Sequence, residues 1–137
     1  MSYTLTFAAC HDYSTALPGI TVPVLLSSGA EAVQLQAKVD SGADGCIFAR
    51  THGERLGLNI EAGQPMRFRT AAGGFPTYGH QVTLSVLGIE TMATVYFAAD
   101  PQFSTNVLGR TGWLDRVRLG LVDYEGRLYL SDYNNPV

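Results

Sequence analysis

The chain has 137 residues, of which 46% are hydrophobic, and carries a formal net charge of −3. That length and apolar content suit one domain around one core, residues 1–137, and the acidic balance, without any Lys/Arg cluster, excludes a nucleic-acid footprint and a basic membrane-binding surface. No stretch reaches the roughly 18 apolar residues of a membrane span, and "MSYTLTFAACHD" lacks the basic and apolar regions of a signal peptide, so a soluble, cytoplasmic protein is expected.

Fifteen glycines and six prolines are spread along the chain, which points to many short strands joined by turns. "TLTF" alternates from residue 4. "GITVPVLL" places Ile20, Val22 and Val24 on one face, and Pro23 suggests an edge strand. "AVQLQAKVD" alternates best: Val33, Leu35, Ala37 and Val39 face one way, and Gln34, Gln36, Lys38 and Asp40 the other. A lone carboxylate, Asp40, thus ends a strand on its polar face, followed at once by Ser41, Gly42 and Ala43. "CIF" resumes as a short strand, and "ARTHGERLGL" predicts two helical turns stopped by Gly57.

"MRFRTAAGGFPTYG" reads as a projecting hairpin turning at Gly73 and Gly74. "HQVTLSVLG" and "ETMATVYFAA" pair around Gly88, and "TNVLG" is a short apolar strand. "GWLDRVRLG" has the spacing of a short helix with Trp113, Leu114 and Val117 on one side, and "LVDYEGRLYL" is a hairpin around Glu125 and Gly126. No repeat, linker or low-complexity segment interrupts the pattern.

Several chemistries fail on spacing. "DSGADG" opens like a calcium loop, but position three is Gly42 and position twelve is Thr51, so two acidic ligands are missing. No GxSxG, HExxH or phosphate-binding glycine loop occurs. His11, His52 and His80 share no ligand spacing, and Cys10 and Cys46, without metal or redox spacing, are read as buried thiols. No metal and no cofactor is implied.

What remains is a carboxylate in a glycine-containing turn. "AKVDSGADGCIFARTHGERLGL" resembles the active-site region of retropepsin-like aspartic proteases: apolar strand, Asp, Ser or Thr, Gly, Ala, short strand, helix. "NVLGRTGWL", Asn106–Leu114, resembles the family's later apolar-apolar-Gly motif followed by Arg. Between them "RFRTAAGGFPTYG" sits where the family carries its flap, and "GLVDYEGRLYL" resembles the closing hairpin, so the likeness covers roughly residues 20–131.

The resemblance implies an all-β fold with one or two short helices, a closed β-barrel of the acid-protease type. It implies an aspartic endopeptidase in which two carboxylates share one proton, one activating a water and the other polarising the scissile carbonyl. Asp40 matches the catalytic aspartate, Ser41 the hydroxyl that bonds across to the partner loop, and Gly42 the small residue that leaves room for the water. Ala43, Asp44, Ala72, Gly73, Gly74, Val107 and Leu108 match substrate-binding positions, and Phe75 and Tyr78 are candidates for substrate or packing contacts. Asp44 is also expected to form an ion pair with Arg110.

With one such motif in a chain half the length of a two-lobed relative, the second carboxylate is expected from another copy, Asp40 meeting its symmetry mate in a homodimer. Asp12, Asp44, Asp100, Asp115, Asp123 and Asp132 are weaker candidates for a partner within the chain. The resemblance implies that the partner molecule is an extended peptide or protein segment, with hydrophobic residues expected about the scissile bond.

The chain departs from viral relatives at both ends. About twenty residues precede the first family-like strand, and "SDYNNPV" has poor strand propensity, so the dimer sheet is expected to draw on "RLYL". A start at Met1 is read as that of an independent product. The alternative reading is a non-catalytic peptide-binding or dimerisation module on the same fold.

Overall fold

The computed structural model describes residues 1–70 and 73–134, with the side chain of Thr70 excepted. Ten strands in two sheets account for most of it, with one short helix. β2 (Thr21–Ser28) and β3 (Glu31–Val39) form an antiparallel hairpin. Their alternation buries Val22, Val24 and Leu26 against Val33, Leu35 and Ala37, and leaves Gln34, Gln36 and Lys38 in solvent. The helix α1 (Arg50–Arg55) follows the two-residue strand β4 (Ile47–Phe48). Its end is a Schellman motif: Gly57 N–H bonds Glu54 O at 2.9 Å and Leu58 N–H bonds Gly53 O at 3.1 Å, with Gly57 at φ +80°.

β5 (Gln64–Thr70), β6 (Gly73–Val86) and β7 (Ile89–Ala98) are joined antiparallel, and β8 (Val107–Leu108) slots between β3, parallel to it, and β4, antiparallel. The order β2-β3-β8-β4-β7-β6-β5 would leave β2 on an edge, but Val24–Ser27 of β2 also pair with Val86–Thr83 of β6. The sheet therefore returns on itself as a ring, with β5 outside it. Pro23 lies just before the doubly paired stretch, where its missing N–H costs no hydrogen bond to β6. The edge expected at Pro23 thus holds only for the first residues of the strand.

A second sheet has the order β1 (Ala9–Asp12), β10 (Arg127–Asp132), β9 (Val117–Val122). Leu128 and Leu130 of its central strand, both fully buried, join the apolar cluster that runs through the ring with Leu26, Phe48, Val82, Leu84, Phe97, Leu108 and Trp113.

Several expectations change. Residues 4–7 lie in no strand: Leu5 is exposed and Phe7 instead packs its ring on Tyr129, centroids 5.7 Å apart. β6 runs unbroken from the hairpin to Val86, merging two expected elements. It turns into β7 through Leu87 and Gly88, both at positive φ as a two-residue hairpin of this hand requires. The helix expected after Gly112 shrinks to a 3-10 turn, Leu114–Arg116, because Asp115 caps Gly112 N–H at 3.0 Å and Val117 then enters β9. "RLYL" is β10, hydrogen-bonded on one side to β1 and on the other to β9. With both edges used inside the chain, it offers no edge to a partner's sheet. Cys46 is buried as expected, burial pushing its thiol up to about 11, whereas Cys10 alternates outward on β1 and is exposed.

One residue, Asn106, connects the ring to what it carries. Asn106 Oδ1 accepts the N–H of buried Ala49 at 3.0 Å, its amide donates to Gln36 O at 3.3 Å, and its own carbonyl accepts Lys38 N–H at 2.9 Å. Asn106→Ala should cost about 1–3 kcal/mol in urea denaturation, since it orphans a buried amide; an unchanged midpoint would refute this bracing role. His52, half-buried on α1 with Nδ1 unpaired, is held below its ordinary pKa of 6.5 by desolvation and then by Arg55. The unfolded chain binds the proton more readily, so this contribution is complete above about pH 6.5 and is lost as pH falls towards the lower folded value. Thermal melts from pH 8 to 5 should show wild type losing more stability on acidification than His52→Gln; parallel curves would rule the effect out.

Candidate active site

Asp40 follows the last residue of β3, and the backbone there is held from two sides. Val39 N–H bonds Ile20 O at 2.8 Å and Asp40 N–H bonds Leu108 O at 3.0 Å. The chain then turns: Ala43 N–H closes onto Asp40 O at 3.1 Å, and Gly42 N–H donates to Asp40 Oδ1 at 2.9 Å. The carboxylate is exposed, and Oδ2 accepts no hydrogen bond from the described residues. One oxygen is thus oriented by the turn's own amide while the other stays available.

The loop after Asp40 rests on the segment after β8. Arg110 N–H bonds Ala43 O and Thr111 N–H bonds Asp44 O, each at 2.9 Å, and Gly45 and Thr111 form an isolated parallel bridge. Gly109 makes the crossing possible. A Cβ there would collide with Gly45 O and lie 2.7 Å from Ala43 O, both fixed backbone atoms. The expected Asp44–Arg110 ion pair does not form: both side chains are exposed, and among the described residues neither has a charged partner within 4 Å. Bracing of the loop is done by these peptide groups, which leaves both charges to solvent.

Asp40 lies in a cavity of about 760 Å³. Gly42, Ala43, Asp44, Ile47 and Val107 line it together with residues of the hairpin, Met66 to Arg69 and Phe75, and with Tyr96, Phe103, Thr105 and Thr111. Four rings join the hairpin to the body. Phe75 stacks on Phe103 with centroids 5.0 Å apart, Phe68 meets Tyr96 edge-on at 5.1 Å, and Phe68 and Phe75 lie 6.3 Å apart. Phe68 also covers Gly45, where a Cβ would stand 3.2 Å from the ring's Cζ.

The structure therefore gathers Asp40, Gly42, Ala43, Asp44 and Val107 about one groove. Ser41 is exposed at the turn without a hydrogen-bond partner among the described residues, and Gly73, Gly74 and Leu108 stand outside the lining. Leu108 is fully buried, for adjacent strand residues face opposite ways: Val107 looks to the groove and Leu108 to the core. Thr70 pairs with Gly73 and Arg69 with Gly74, so the two glycines begin the returning strand instead of forming the turn. Ala72 lies outside the described residues. Tyr78 packs against the core, whereas Phe75 lines the cavity.

The other aspartates have local duties. Asp12 pairs with Arg127 at 3.3 Å, Asp123 accepts the Tyr13 hydroxyl at 2.6 Å, Asp115 caps Gly112, Asp100 accepts Gln102 N–H at 2.9 Å, and Asp132 accepts Asn134 N–H at 3.0 Å. Only Asp44 shares the groove with Asp40 among the described residues, and both are exposed. No group of three or more potential metal ligands occurs among those residues.

Sequence reasoning missed Phe68, Tyr96, Phe103 and Asn106. The signal for Phe103 was "DPQF": an Asp-Pro turn in which Phe103 N–H returns to Asp100 O at 3.1 Å, lifting one aromatic out of a polar loop.

The geometry has its counterpart in known sequences. A family model described as aspartyl protease matches residues 22–112, from the second strand to the glycine before Trp113, and so spans Asp40, the hairpin and Gly109. No curated protein matches the chain. The match extends over more than half of the residues, and the chain belongs to this aspartyl protease family of the retropepsin-like clan.

Proposed function

We propose that the protein is an aspartic endopeptidase that works as a homodimer, each subunit contributing Asp40 to a pair of carboxylates on the twofold axis. The whole chain, residues 1–137, is one such domain, and its ring is the barrel of the acid-protease type. The observation that carries this reading is the placement of Asp40: exposed, oriented through one oxygen by Gly42 N–H, at the edge of a groove with apolar walls beneath a hairpin.

A single carboxylate cannot both take a proton from water and give one to the carbonyl oxygen. Two that lie about 3 Å apart cannot both ionise, so they hold one proton between them and supply both roles at once. The ionised member removes a proton as water attacks the scissile carbon, and the protonated member hydrogen-bonds the developing oxyanion. Gly42 supports this chemistry because a Cβ there would lie 3.2 Å from Asp40 Oδ1, crowding the space beside the carboxylate. In this reading Ser41, exposed beside it, bonds across to the partner's turn.

The substrate is an extended peptide lying between the Asp40 turn and the hairpin. Ala43 and Asp44 of the turn lie on one side of the peptide and the outgoing arm of the hairpin on the other, as strands flank an added strand. Val107, Phe75 and Phe103 supply apolar surface for its side chains. The hairpin closes on the peptide and excludes water.

Asp40→Asn should lower peptide cleavage by at least about 100-fold between pH 4 and 7, because it removes a general acid–base pair. The stability of the single chain should change by no more than about 0.5 kcal/mol, since Asp40 is exposed there. Equal cleavage by both proteins would remove Asp40 from the mechanism. Absence of cleavage by wild type on a broad peptide library would favour a peptide-binding module. Specific activity should also fall when the protein is diluted below the dimer's dissociation constant, and sedimentation should place activity in the dimer; an active monomer would end the shared-carboxylate reading.

A further inference from the structure

Arg67 and Arg69, on the outgoing arm of the hairpin, line the same cavity as Asp40, and both are exposed. Arg50, Arg116 and Arg127 each have a carboxylate within 4 Å; Arg67 and Arg69, like Arg55, Arg110 and Arg118, have none among the described residues, and of these five only Arg67 and Arg69 line the groove, where Asp40 and Asp44 also stand. In a chain of net charge −3, two guanidiniums side by side on one wall of a groove make a local positive field that attracts an anionic ligand.

Their placement is ordered. Both lie on β5, one residue apart, so they share a face of an extended strand at a spacing of about 6.8 Å. Phe68, between them, goes to the aromatic cluster with Tyr96 and Phe75. Across the hairpin Gly74 pairs with Arg69, and a Cβ on Gly74 would lie 3.0 Å from Arg67 Nε and 3.3 Å from its Cγ. The bare backbone of Gly74 is therefore a bed for the Arg67 side chain. It restricts a flexible arm that would otherwise lose more rotamer freedom on binding.

We propose that Arg67 and Arg69 form an acid-selecting subsite, choosing extended peptides that carry two acidic side chains separated by one large hydrophobic residue. An extended peptide presents alternate side chains on one face at the spacing of the two arginines, so an acidic-hydrophobic-acidic segment sets both carboxylates against guanidiniums while its middle residue faces the aromatic wall. A lysine at either acidic position meets like charge. This rests on the reading of the groove as a peptide site, and it goes beyond that reading by naming the peptide.

The experiment compares decapeptides identical except for Glu-Phe-Glu, Gln-Phe-Gln or Lys-Phe-Lys at the centre. Binding is measured by fluorescence anisotropy on the Asp40→Asn chain, apart from turnover, and kcat/KM on wild type. The acidic peptide should bind about five- to tenfold more tightly than its amide twin at low salt, the range for two exposed charge pairs, and the advantage should vanish near 1 M salt. In a chain carrying Arg67→Glu and Arg69→Glu the preference should pass to the lysine peptide. Gly74→Ala should reduce the advantage without touching either charge. Equal affinities, binding of none of the three, or an acidic preference that survives the double charge reversal would each overturn the inference. Acid-selective binding by a wild-type chain that cleaves nothing would refute the endopeptidase reading and leave the subsite standing.

Discussion

The site depends on a crossing of two backbones with no side chain between them. At Gly109 the chain leaving β8 passes so close to the carbonyls of Ala43 and Gly45 that a methyl group has nowhere to go. Contact at that range lets amides of one segment reach carbonyls of the other: Arg110 to Ala43, Thr111 to Asp44, and, one step earlier, Asp40 to Leu108. These bonds run between residues more than sixty positions apart, so the turn that presents Asp40 exists only once the ring has closed. A carboxylate at a strand end facing residues with little side chain is then intelligible. The small residues are needed for the crossing, and the charge remains in solvent because nothing is left to cover it.

That constraint also accounts for the missing Asp44–Arg110 pair. Peptide hydrogen bonds already fix the two segments, and an exposed ion pair would add about 0–1 kcal/mol while ordering two side chains. The Arg110 guanidinium is thus left in solvent. The same logic separates the arginines of the hairpin from Arg50, which binds Glu54 at 3.2 Å and Glu61 at 2.5 Å and pins α1 to the following loop. Arg50 is paired and ties the body together, whereas Arg67 and Arg69 in the groove have no carboxylate within 4 Å among the described residues.

How much of this could be read from residue order follows the range of each interaction. The alternation of "AVQLQAKV" located β3 and the polar face of Asp40 because strand periodicity is local. Gly57 marked the end of α1 for the same reason, and a short motif in a fixed order sufficed to suggest the family. The ring closure between β2 and β6 was not legible, since no local signal says that residues 24–27 meet residues 83–86. Nor was the fate of "TLTF", whose alternation lacks a neighbouring strand, or of "GWLDRVRLG", where an Asp cap and a β-branched residue overrode helical spacing. In the site, Val107 and Leu108 looked equivalent as apolar neighbours and were divided by the pleat. Gly73 and Gly74 attracted the turn on propensity alone, while the register begins the returning strand there.

The aromatic cluster sets how the hairpin can move. β5 has a neighbour on one side only, and such a two-stranded arm is marginal by itself. Stacking of Phe75 on Phe103 and the edge contact of Phe68 with Tyr96 contribute about 0.5–1.5 kcal/mol each beyond burial, enough to hold the arm against the body and little enough to be exchanged. Exchanging one ring contact for another carries a small net cost, so the arm is held to the body by contacts that can be replaced without unfolding the ring. Gly45 lets Phe68 come down onto the loop beside Asp40, which couples arm position to the turn that orients the carboxylate. Apolar ring contacts therefore tie the arm to the turn that carries Asp40, whereas Arg67 and Arg69 on the same wall have no carboxylate within 4 Å among the described residues.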